Sequence, residues 1–199
     1  MSCVNIHKGT DFNCDNPDNR YYQHLVLINK DDVLAHNIIS QGDQHRILFA
    51  LKETKSGFRY SGSPDGAALI PNFSKEIDEN IPQYSHYVQL PLFGASEEKK
   101  QILKRLDFAN YFAAVRLTSG LVEVYGFENG LTTDDYTYSL QENFGGSVIE
   151  LISRDLEDDI PYIYHSDTPG LDFENLFDGI GLAALGDFNE DFNNDFLIG

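Results

Sequence analysis

The residues in this chain whose type and spacing invite chemistry are mostly acids. Asp187, Asn189 and Asp191 open a D-x-N-x-D run with Asp195 at its ninth position, the ligand spacing of a calcium loop. The pattern then breaks, because Phe192 stands where the sharp turn needs glycine and Ile198 where a bidentate Glu closes the cage. Asp134 with Asp135, and Asp158 with Asp159, are adjacent carboxylates of the kind that divide acid and base roles. They sit in polar, loop-like sequence in a chain with 32 acidic residues, where adjacency carries little information. The expectation is a protein that is not an enzyme.

Cysteine and histidine add no stronger signal. Cys3, His7 and Cys14 form a C-x3-H-x6-C pattern that matches no common zinc spacing and lacks an obvious fourth ligand. The six histidines, at 7, 24, 36, 45, 86 and 165, include no H-x-x-x-H or H-E-x-x-H pair. His24 and His86 fall in strand-like runs, where a packed or hydrogen-bonded ring is the usual role. No G-x-S-x-G elbow, phosphate-binding loop or G-x-G-x-x-G is present, and FGGS reads as a hairpin turn. No metal and no cofactor are expected.

The elements that would position any site are clearest from Ser96 to Arg154. SEEKKQILKRLDF places Ile102, Leu103, Leu106 and Ala109 at helical spacing and predicts a helix over about 95–109, with Ser96 as N-cap and Lys104 and Arg105 near its negative end. Its narrow apolar stripe suits one helix laid on a sheet or barrel. Ala113, Val115 and Leu117 lead through Ser119 and Gly120 to Val122 and Val124, a tight hairpin. The loop FENGLTTDD follows, with Asn129 and Gly130 suited to positive φ, then a strand carrying Tyr136, Tyr138 and Leu140. Gly145 and Gly146 are read as the next turn, before SVIELIS.

Upstream, Tyr22, His24, Val26 and Ile28 alternate with Tyr21, Leu25 and Leu27, so both faces are apolar and the strand is expected to be interior. A short run follows at Val33 and Leu34. HRILFALKETKSGFRYSG reads as a hairpin turning at 55–57, and residues 61–82 as a long loop with an apolar anchor at Leu69 and Ile70. Tyr84, His86, Val88, Leu90 and Leu92 form the cleanest period-two run, ending or reaching an edge by Pro91. Together these predict a mainly β (α+β) fold: a β-sandwich or barrel with one flanking α-helix.

Charge divides the chain further. The net charge is −18, from 32 acidic and 14 basic residues, which argues against a basic groove that tracks phosphates. Twelve of the acids follow Arg154, where there is no Lys or Arg. That stretch also carries apolar residues, with Phe188, Phe192 and Phe196 four apart and Asp187, Asp191 and Asp195 beside them. The domain reading is an N-terminal arm (1–20), a β-rich core with one helix (21–155), and an acidic, Phe-containing C-terminal arm (156–199). Phe188, Phe192, Phe196, Leu197 and Ile198 are the expected partner-binding residues, docking in a groove of a neighbouring subunit or partner with acids as the polar rim. No apolar run approaches a membrane span, and no signal-peptide pattern opens the chain, so a soluble protein made in a cytoplasm is expected.

The order of parts resembles small virion proteins from phage tail modules, particularly of phages of Bacteroidetes-type hosts. The resemblance lies in the core strand YSHYVQLPLFG, the single helix, SGLVEVYGFENGL and YTYSLQENFGGSVIELIS, and covers roughly 15–155; DNPDNRYYQHLVLINKDDV and FNEDFNNDF are also similar to segments of such phage proteins. Tail tube and ring proteins of this kind are β-sandwiches or barrels with one helix on the flank. They assemble as rings around a DNA channel. The resemblance implies a virion structural protein, made in the host cytoplasm, whose partners are further copies of itself and neighbouring virion proteins. An acidic lumen would let genomic DNA pass without specific binding. The long acidic tail departs from a minimal tube protein, so tube, ring, completion and adaptor layers all stay open. The other reading is a monomeric β-sandwich module that binds a protein or carbohydrate through the 61–82 loop and the tyrosines.

Overall fold

A computed structural model describes residues 22–41, 44–61, 70–78, 81–93, 97–117, 120–141, 144–165 and 173–176. The chain is mainly β with one helix, as the sequence pattern predicts. The strands are β1 (Tyr22–Asn29), β2 (Val33–Gln41), β3 (Gln44–Leu51), β4 (Phe58–Ser61), β5 (Ile70–Asp78) and β6 (Ile81–Phe93). After helix α1 (Glu97–Leu106) come β7 (Tyr111–Leu117), β8 (Val122–Tyr125), β9 (Leu131–Gln141), β10 (Phe144–Ser153) and β11 (Tyr162–Tyr164).

All eleven strands belong to one mixed sheet, which bends at β7. On one side run β7, β8, β11, β3 and β2; β7 also pairs along its length with β1, and β1 with β4. On the other side run β9, β10, β6 and β5, joined to β7 by the single pair Tyr111↔Leu131. The first part curls on itself. Strands three places apart in a flat sheet lie about 14 Å apart, yet the Phe49 ring of β3 meets the Phe112 ring of β7 edge-on at 5.1 Å.

Two cores result, one on each face of β1 and β7. Val26, Ile28, Phe112 and Ala114 join Ile47, Phe49, Val124 and Tyr164 inside the curl. Leu25, Leu27, Tyr111, Ala113 and Val115 face Val88, Leu90, Ile149 and Leu151 of the second part. The two-sided apolar pattern of β1 is thus used in full, with four consecutive residues, 25–28, buried. Helix α1 closes the second core with Leu103 and Leu106 buried and Ile102 and Ala109 packed alongside, the stripe its spacing predicts. Each such buried side chain contributes about 1.5–3 kcal/mol relative to exposure.

Several local expectations change. β3 does not form a hairpin with β4: it pairs with β2 and β11, while β4 lies on β1. The short run at Val33 is the start of a nine-residue strand whose last pair, Gln41↔Gln44, leaves only Gly42 and Asp43 between β2 and β3. Two-residue connections also separate Asp78 from Ile81 and Gln141 from Phe144, so Gly145 and Gly146 pair inside β10. Residues 61–82 are not all loop, because 70–78 form β5 against β6. The FENGLTTDD loop is shorter than expected, with β9 beginning at Leu131; Gly130, at φ +80, makes the turn as anticipated. α1 ends at Leu106, with Ser96 outside the described residues. Pro91 pairs with Val148 beyond the last β5–β6 pair at Gln89, where a missing donor costs no ladder bond to β5. The sheet also extends past residue 155: β11 lies between β8 and β3. Phe173 and Leu176 are buried in the curled core, and Arg116 pairs with Glu174 beside them.

Candidate functional site

Among the described residues one histidine and one carboxylate are almost fully enclosed, His86 and Glu157, each 1% exposed. Both belong to a polar cluster where the turn at 126–130 meets the segment 153–160. β6 puts His86 on its inward face, with Val88 and Leu90. The segment after β10 is held against β6 by a two-way backbone bridge between Tyr84 and Glu157, at 2.9 and 2.7 Å. The Gly126 N–H donates to His86 Nδ1 at 2.9 Å, so that nitrogen carries no proton, and Nε2 donates to the Asp159 carbonyl at 3.0 Å. Burial pushes the imidazole pKa down to about 4, because a charged ring here loses its hydration and its Gly126 donor.

Glu157 caps the same turn. Its two oxygens accept from the Glu128 and Asn129 backbone N–H groups, each at 3.0 Å, and the Asn129 side chain donates to the Leu156 carbonyl at 2.7 Å. Burial pushes the carboxyl up to about 7, outweighing the pull of the two N–H donors and Lys30. Glu128 turns the other way: it accepts from Tyr162 Oη at 2.7 Å and from the Asp158 N–H at 2.9 Å, and burial together with this carboxylate raises the Tyr162 phenol pKa. Lys30 Nζ donates to the Glu128 carbonyl, and His45 stacks on Tyr162 with Nδ1 3.5 Å from Asp159. Gly126 sits at φ +69, and a Cβ there would meet Leu131 Cδ2 at 2.5 Å.

Perturbed titratable groups often mark reactive sites. Here both His86 nitrogens and both Glu157 oxygens are already bound to the protein's own polar groups, so the cluster is a clamp that fixes the turn. Asp158 and Asp159 contribute backbone groups and local bonds to it rather than a free carboxylate pair. Asp134, by contrast, is an exposed residue of β9. Sequence reading saw His86 as a packed strand histidine but gave no role to Glu128, Glu157 or Tyr162, whose spacing is too long to form a local motif.

Two surfaces are open for binding. The first is β5, an edge strand paired only with β6 among the described residues. Its side chains from Asn72 to Ile77 are exposed, and Ile70, Phe73, Ile77 and neighbouring Ile81 present large apolar groups to solvent. The second is a groove of about 640 Å³ between α1 and the β1–β4 edge, lined by Leu27, Phe58, Tyr60, Ile102, Leu106, Phe108 and Tyr111 with Lys104 and Arg105 on the helix side. Phe108 is 80% and Phe58 56% exposed beside it. A hollow of about 520 Å³ at the end of the curled sheet mixes Phe112, Phe127 and Ile38 with Lys30, His36 and Glu128.

Phe188, Phe192, Phe196, Leu197 and Ile198 lie outside the described residues, as do Cys3, His7, Cys14 and the D-x-N-x-D run. Among the described residues no group of three or more His, Cys, Asp or Glu is arranged to hold a metal ion, and no helix is long and apolar enough to cross a membrane. No protein-family model, curated protein or solved structure matches this chain.

Proposed function

We propose that this chain is a non-enzymatic structural subunit that assembles with copies of itself, forming or joining a ring around the DNA channel of a phage tail or head–tail connection. The observation that carries assembly is the β5 edge: a nine-residue strand with one paired side among the described residues, bearing Phe73 and Ile77 in solvent. Such an edge templates pairing with another chain, and proteins that remain monomeric blunt it with short strands, charges or bulges. β5 carries Pro71, Lys75, Glu76 and Asp78, which blunt it in part, yet Ile70, Phe73, Ile77 and neighbouring Ile81 remain exposed along it. The ring and virion parts of the reading rest on the resemblance to tail proteins and on the net charge of −18, which suits a channel wall that repels DNA. The C-terminal aromatic residues supply further contacts in such an assembly.

Light scattering coupled to size exclusion, followed by electron microscopy, tests this. Closed rings are expected for the native chain, and a shift toward monomer for Ile77→Lys with Ile81→Lys. A native chain that stays monomeric at all concentrations, alone and with neighbouring virion proteins, favours the second reading, a β-sandwich binding module. The groove beside α1 is the observation that supports that alternative.

A further inference from the structure

The groove beside α1 has an apolar floor and a cationic wall. Phe58 and Phe108 flank it in solvent, and Lys104 and Arg105 project from the exposed side of α1. The last described residue, Leu176, is buried in the curled core, and its carbonyl accepts from the Gly57 N–H at 2.5 Å, one residue before Phe58 of the groove lining. The chain continues beyond Leu176 for twenty-three residues. That stretch carries five acids, Asp178, Asp187, Glu190, Asp191 and Asp195, and no Lys or Arg.

We propose that this groove is the seat of the chain's own residues 187–198, DFNEDFNNDFLI. Phe188 stands twelve positions beyond Leu176, a reach of up to about 40 Å, which is long enough to span to the groove. Phe188, Phe192 and Phe196 recur every four residues, which in a helix sets three rings on one face over about 12 Å. Those rings fill the apolar floor against Tyr60, Ile102 and Phe108. Asp187, Asp191 and Asp195, one residue earlier in each turn, run along the side of Lys104 and Arg105. Tethering makes the local concentration of the segment about millimolar, so the free subunit fills its own groove first. The inference does not depend on ring formation.

The test uses the full chain with Phe188→Ser, Phe192→Ser and Phe196→Ser, which vacates the groove, and a fluorescent peptide of residues 186–199 read by anisotropy. The vacated chain is expected to bind the peptide at least tenfold more tightly than the native chain, and adding Lys104→Glu and Arg105→Glu to lower that affinity tenfold or more. No binding by the vacated chain, or binding indifferent to the charge reversals, overturns the proposal. An independent arm needs no triple variant: chymotrypsin should cut after Phe188, Phe192 and Phe196 several times faster in the Lys104→Glu, Arg105→Glu chain than in the native one. Equal rates overturn the proposal, and a groove that binds only an unrelated partner peptide does too. The ring reading is judged by light scattering, so the two ideas fail separately.

Discussion

β3 (QHRILFAL) and β5 (IPNFSKEID) are strands of eight and nine residues that each carry isoleucine and phenylalanine, and the fold treats those side chains in opposite ways. In β3, Ile47 and Phe49 are 1% and 0% exposed, because β2 and β11 cover both edges and the sheet curls Phe112 and Phe127 over the ring. In β5, Phe73 and Ile77 are 43% and 71% exposed, because β6 is their single neighbour and nothing is packed on the far side among the described residues. For the isoleucine and phenylalanine that both strands carry, coverage decides burial. The same holds within one strand: both His86 and Ile81 of β6 pair with β5, but His86 is covered by the 126–130 turn and the 153–160 segment, whereas Ile81 is exposed.

The sharpest way to break this comparison is truncation of the two phenylalanines. Phe49→Ala should cost about 3–5 kcal/mol in chemical denaturation and Phe73→Ala less than about 1 kcal/mol; equal costs would show that β5 is covered. Next in size is the clamp. Glu157→Ala orphans the buried Glu128 and Asn129 N–H groups and should cost about 2–4 kcal/mol, whereas Glu157→Gln keeps one acceptor oxygen and should cost less.

The pH dependence sharpens the clamp further, because its two titrating groups oppose each other. His86 falls from 6.5 to about 4 on folding, so its contribution is complete above pH 6.5 and is lost as pH drops toward 4. Glu157 rises from 4.5 to about 7, so its contribution is complete below pH 4.5 and is lost as pH climbs through 7. Each is worth on the order of 2–3 kcal/mol across its window. Relative to the native chain, Glu157→Gln should therefore lose stability more steeply between pH 6.5 and 4, and His86→Asn between pH 4.5 and 7. Parallel stability curves for all three chains would place neither group in the linkage. The smallest effect on stability belongs to Ile77→Lys, within about 0.5 kcal/mol by thermal melt, although it is the change expected to act most on self-association.

Much of the fold is legible in the sequence because it is encoded locally. The two apolar faces of β1 announce an interior strand, Leu103 and Leu106 lie on the stripe that α1 buries, and Gly120 and Gly130 occupy the positive-φ turns that their neighbours require. What was misread shares a cause. The Lys55 to Gly57 turn looked like a hairpin because its flanks alternate, yet β3 finds β2 through Gly42 and Asp43 and takes β11 in parallel from more than a hundred residues away. β5 reads as loop because an exposed edge strand needs no apolar alternation. The groove residues Phe58, Ile102 and Phe108 come from two separated stretches that only the packing of α1 beside β4 brings together.

Sequence alone determined the helix, most of the longer strands, the two-faced centre and the acidic, aromatic C-terminal stretch, though not β5 or β11, since periodicity, turn chemistry and charge act over a few residues. Tertiary structure alone decided which strands pair, which edge stays open, and that Glu157 is a buried cap rather than one more surface acid. Those outcomes depend on contacts between distant residues, where a carboxylate meets two backbone N–H groups almost thirty positions away and no local pattern records the meeting.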